Sequence, residues 1–146
     1  MANETFKNSL LSLSVPDGWK VFDTTDIDGN KTDKKIFVYK NAEDPLHIFS
    51  RAGITLCYFS KRDIYLSPKR FYENVEDIAP LELGNYLWEG YTCTSVGYPY
   101  TMLEAHKDGT VLQLMMLMEN NGERISLSDP DVREMIGSIK SLGEET

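Results

Sequence analysis

The segment Thr110-Val111-Leu112-Gln113-Leu114-Met115-Met116-Leu117-Met118 constrains this chain most. It follows the turn Lys107-Asp108-Gly109 and ends at Asn120-Asn121-Gly122, so it reads as a strand entered through a hairpin. Side chains alternate across a strand. Leu112, Leu114, Met116 and Met118 therefore face one way, and Val111, Met115 and Leu117 the other. A strand apolar on both sides needs cover on both sides, or a ligand.

The rest of the chain supplies neighbours. Leu11, Leu13 and Val15 alternate with Ser12 and Ser14, the pattern of a half-buried strand, and Pro16-Asp17-Gly18 turns the chain. Trp19 to Phe22 and Lys35 to Lys40 flank a polar loop and predict a hairpin. Gly53 to Phe59 is apolar on both faces at several points and predicts a central strand. Asn85–Val96 and Tyr100–His106 predict two more strands before Thr110. Ser67-Pro68 looks like a helix start, with Phe71, Val75 and Ile78 at helical spacing and Pro80 as the stop. A closing helix from Ser128-Asp129-Pro130 to Leu142 would bury Val132, Met135, Ile136, Ile139 and Leu142. With no repeat and no linker, residues 1–146 predict a single α+β domain: a mostly antiparallel sheet of six to seven strands with at least two helices packed on it.

Charge limits the partners. Residues 1–70 carry eleven Lys and Arg against nine Asp and Glu; residues 71–146 carry four against fourteen. Phe71 to His106 holds no Lys or Arg at all. Phosphate binding needs a basic footprint, so nucleic acid is not an expected partner. No apolar run is long enough for a membrane span, so no stable membrane insertion is expected. Met1-Ala2-Asn3-Glu4-Thr5 lacks the basic and apolar regions of a signal peptide, which makes the cytoplasm the expected location. Cys57 and Cys93 read as free, buried thiols.

The Val15-Pro16-Asp17-Gly18-Trp19 turn, the closing helix with Ile136-Gly137-Ser138-Ile139, and the strands from Tyr91-Thr92-Cys93 through Met116 resemble the Mog1/PsbP-like superfamily. That resemblance implies an α/β/α sandwich and a mostly non-enzymatic role. The family's cytoplasmic members, among them chaperones for type VI secretion effectors, are the most similar in lacking a lipoprotein cysteine or leader. No functional residue carries over, because the matching positions are structural.

Chemistry-bearing motifs are sparse. Asp26-x-Asp28-Gly29-Asn30-x-x-Asp33 has the oxygens of a calcium loop, but its Gly is misplaced and no Glu closes it. His47 and His106 are too few for a metal site. Cys93 with His106, or a carboxylate pair drawn from Glu82, Glu89 and Glu104, are the only sketches of a catalytic group. No cofactor motif is present, and no enzyme activity is expected. The aromatic stretch is more telling. Tyr86 and Trp88 share a strand face, and Tyr98 or Tyr100 can join them across a hairpin, beside Met116. Such a cluster suits an apolar or amphipathic segment of a protein partner, or a homodimer that hides it. The acidic second half favours basic residues flanking that segment. A small-molecule pocket between sheet and helix is the alternative.

Overall fold

Period-two alternation runs through most of the chain, and most of the chain is strand. The computed structural model describes residues 4–29 and 32–142, and is 53% strand and 15% helix. In order come β1 (Glu4–Lys7), β2 (Leu11–Val15), β3 (Trp19–Asp23), α1 (Thr24–Asp28), β4 (Lys35–Lys40) and β5 (Gly53–Phe59). Then follow β6 (Glu73–Leu83), β7 (Tyr86–Ser95), β8 (Tyr98–Lys107) and β9 (Thr110–Leu117). The chain closes with β10 (Glu119–Asn120), β11 (Glu123–Arg124), α2 (Pro130–Ser138) and β12 (Lys140–Ser141). Seven strands form one antiparallel sheet in the order β3-β4-β5-β9-β8-β7-β6. The expected hairpin of β3 and β4, and the interior positions of β5 and β9, are as the alternation implies.

The first face of this sheet is sealed. β2 and α2 lie over it, and Leu11, Leu13, Val132, Met135, Ile136 and Ile139 meet Ile36, Leu56, Trp88, Leu103, Leu114 and Met116 in one core. β2 belongs to a separate small sheet, β1-β2-β12. The Ser138 hydroxyl ties α2 to β2 by accepting from the Ser14 N–H at 2.7 Å. Trp19, just after the Pro-Asp-Gly turn, donates its indole N–H to Asp131 in the first turn of α2 (2.9 Å). The helix ends at Ser138, and Leu142 is 38% exposed rather than buried.

The α/β/α sandwich is not formed. Only α2 among the described residues reaches seven residues of helix, and the second face has no helix layer of that kind. The expected helix after Ser67-Pro68 is instead a short 3₁₀ turn, Lys69–Phe71, followed by the edge strand β6. The reason is visible in its register. β6 has irregularities between Glu73 and Glu76 and between Ile78 and Leu81, and its half-buried residues divide between the faces: Val75 packs with Tyr91 and Cys93, whereas Ile78, Leu81 and Leu83 pack on the sealed core. Between Ile78 and Leu81 a bulge adds a residue and turns the strand's step of two into a step of three, whereas Val75 and Ile78 are three apart because they point to opposite faces. That spacing mimics one face of a helix. Asn74, at φ 55°, takes the left-handed conformation that Asn tolerates. Pro80 sits on the sheet's edge, where a missing N–H costs no ladder bond.

Candidate functional site

Strand alternation sends every second side chain of the large sheet to its second face. One row there crosses all seven strands through directly paired residues: Phe22, Phe37, Thr55, Met115, Met102, Tyr91 and Asp77. Beside it run Lys20, Tyr39, Gly53, Leu117, Tyr100 and Cys93. On the other side lie Lys35, Cys57, Gln113, Glu104 and Glu89.

Cover on this face is partial. At the β3–β4 end, a 3₁₀ turn (Pro45–Phe49) buries Ile48 with Phe22 and Tyr39 while Leu46 and Phe49 stay exposed. Beyond β5, residues 60–72 form a strap. Asp63 pins it, accepting from the Lys34 ammonium at 2.8 Å and from the Ser60 N–H. Tyr65 packs edge-on to Phe59 and donates its hydroxyl to Glu104 (2.5 Å). Glu104 also meets His106 Nε2 at 2.8 Å. Lys69 reaches Asp77 and lies 5.4 Å over the Tyr91 ring. Outward, the strap presents Ile64, Leu66 and Phe71, exposed at 83%, 80% and 79%.

Between these two covers lies a recess of about 120 Å³, lined by Tyr39, Thr55, Tyr72, Ser95, Tyr100, Met102 and Met115. Burial pushes Tyr39 up to about 12, and raises Tyr72 and Tyr100 as well. All three are neutral phenols near neutral pH, able to donate or accept. Burial also raises Cys93, which holds it as a thiol rather than a thiolate nucleophile.

The sequence-derived cluster divides between the two faces. Trp88 and Met116 are wholly buried in the sealed core, and no partner can reach them without unfolding. Tyr86 is half-buried beside them, its ring 5.8 Å from Trp88 and its hydroxyl accepting from the Ser141 N–H. Tyr98 and Tyr100 pair with Ser95 and Cys93, the positions of β7 that point away from Trp88, so they lie on the second face. Tyr100 lines the recess and Tyr98 is 46% exposed. The sequence reading missed Tyr39, Thr55 and Met102 because their grouping depends on strand order, which local patterning does not carry. It missed Ile64 and Leu66 because they lie outside regular elements.

The catalytic sketches fare differently. Cys93 pairs with Tyr100, six positions along β8 from His106, so about 20 Å separates the two. Glu89 and Glu104 are brought directly opposite each other, whereas Glu82 pairs with Leu87. In the calcium-like segment Asp26 closes a capping box with Asp23, and Asp33 accepts from Ser9; Asn30 lies outside the described residues. Among the described residues no three His, Cys, Asp or Glu side chains are placed to hold a metal. Among the described residues no helix is long and apolar enough to cross a membrane.

No family model and no curated relative matches this chain. A solved structure from Bacteroides thetaiotaomicron superposes with a TM-score of 0.56 at 11% identity, over 99% of this chain and 50% of that one. The likeness is one of fold, and this chain spans about half the length of that protein.

Proposed function

We propose that this domain is a non-enzymatic binding module that holds an apolar or amphipathic segment of a partner protein on the second face of its sheet. The observation that carries the reading is the recess with its two exposed apolar flanks. Leu46 and Phe49 stand at one end; Ile64, Leu66 and Phe71 stand on the strap that runs into Tyr72 in the recess wall. Scattered surface apolar residues are ordinary, but large ones concentrated beside a concavity mark interaction sites.

At this recess, size favours a protein segment over a metabolite. Small-molecule sites run to about 300–1,000 Å³. A recess of about 120 Å³ suits one side chain, with tyrosine hydroxyls at its rim to take backbone or polar groups. A cytoplasmic setting belongs to the same proposal and draws support from the free cysteines Cys57 and Cys93. The Mog1/PsbP-like resemblance supports the adaptor role through the Val15–Trp19 turn and the closing helix, although the helical sandwich it implies is absent.

The test is binding of labelled leucine-bearing peptides, followed by anisotropy. Wild type is expected to bind them. Ser95→Phe, which fills the recess, and the strap triple Ile64→Ser/Leu66→Ser/Phe71→Ser are each expected to weaken binding about tenfold while remaining folded. Undiminished binding by both folded variants would remove this face from consideration.

A further inference from the structure

Next to the recess lies a second concavity, a groove of about 290 Å³ lined by Lys69, Asp77, Ile78, Pro80, Glu89, Gly90, Tyr91 and Glu104. The two share a wall: Met102 lines the recess, Tyr91 lines the groove, and these residues pair directly across β8 and β7. The groove combines an aromatic floor with carboxylates. Glu89 and Glu104 stand directly opposite on neighbouring strands, an arrangement in which like charges repel and cost stability. Asp77, paired with Tyr91 on the other side, adds a third carboxylate.

One cation is already seated there. The Lys69 ammonium lies 5.4 Å over Tyr91 and bonds Asp77. It reaches in from the strap, and the pair is open to water, with side-chain exposures of 45% and 72%. Exposed ion pairs of this kind hold weakly. Glu104 is engaged by neutral Tyr65 and by His106, so Lys69 meets only part of the groove's acidity.

We propose that the groove is a docking site for a lysine or arginine of the bound segment, which displaces Lys69 from Tyr91 and Asp77. This rests on the reading of the recess as the seat of an apolar side chain. The distance between the two seats fixes a motif. Recess and groove lie one to two strands apart, roughly 5–10 Å. In an extended segment, side chains two positions apart point the same way at about 7 Å. The preferred partner therefore carries apolar–x–basic in an extended stretch. The positive flank complements a surface that has no Lys or Arg between Phe71 and His106.

Three fluorescein-labelled extended peptides test this on the full chain: Leu-x-Lys, Leu-x-Glu and Ser-x-Lys in one Ser/Thr background. Leu-x-Lys is expected to bind about tenfold tighter than Leu-x-Glu, the scale of one cation–aromatic contact. Asp77→Asn/Glu89→Gln is expected to erase that preference by weakening Leu-x-Lys, with Leu-x-Glu binding unchanged or tighter. Lys69→Met removes the resident competitor and is expected to tighten Leu-x-Lys several-fold. Equal binding of Leu-x-Lys and Leu-x-Glu overturns the basic site and leaves the apolar recess standing. Binding of Ser-x-Lys as tightly as Leu-x-Lys overturns the apolar recess, and binding of no peptide at all overturns both. Weaker binding by a folded Lys69→Met overturns the displacement.

Discussion

Gly53 lies directly across from Tyr39 on β5 and β4, so close beneath the ring that a Cβ at position 53 would come within 2.4 Å of it. The glycine lets the tyrosine lie flat over the sheet and form the recess wall. Gly53→Ala is expected to push Tyr39 aside at a cost of about 1–3 kcal/mol and to impair leucine-peptide binding beyond that loss. Urea unfolding and peptide anisotropy on the same preparation check this.

A second glycine pair gives a sign test. Gly84, at φ +67° in the turn between β6 and β7, would place a Cβ 1.9 Å from the Gly137 carbonyl oxygen in α2. A Cβ on Gly137 meets nothing closer than 3.7 Å. Gly84→Ala is expected to destabilise by about 2–4 kcal/mol, through left-handed strain and collision. Gly137→Ala is expected to be neutral or to stabilise by up to about 1 kcal/mol through helix propensity. Shifts of the same sign in urea midpoint would contradict this packing.

Trp88 is wholly buried, and no hydrogen-bond acceptor meets its Nε1–H among the described residues. Trp88→Ala is expected to cost about 3–5 kcal/mol. Trp88→Phe loses volume but also sheds a buried unsatisfied donor, so about 1–2 kcal/mol is expected. Thermal unfolding of the two variants side by side gives the comparison.

Burial pushes Tyr39 and Tyr91 up to about 12, and Tyr65 is raised further by burial and by Glu104. A group whose folded pKa lies above its unfolded value stabilises fully below the unfolded value, near 10 for tyrosine. That contribution is lost as pH rises toward 12. Stability is therefore expected to be flat with respect to these groups below pH 10 and to fall between 10 and 12. Ultraviolet titration alongside circular dichroism should show these phenols ionising late or together with unfolding.

Much of the sheet was legible in the sequence because alternation is local. Leu11 to Val15, Gly53 to Phe59 and Thr110 to Leu117 each announce a strand through their own side chains. β6 was hidden because Val75 on one face, Ile78 on the other and a bulge before Leu81 together give a helix-like step of three, and only pairing with β7 decides between the two. The site was less legible than the fold. Tyr98 and Tyr100 look like neighbours of Trp88 until register assigns them to the opposite face. Lys69, written beside a helix-like start, is instead an arm laid across Tyr91 on β7, which no local signal links to it.

The seal over Trp88 has a consequence for biosynthesis. It is made from the two ends of the sequence, β2 and α2, so the early strand waits for the late helix. From the time Trp88 is made until Ile139 is added, roughly 3–10 s passes at about 5–20 residues per second. Until then the side of the sheet that holds Trp88 has no complete cover. A truncated product lacking Ile136 and Ile139 would keep that side open.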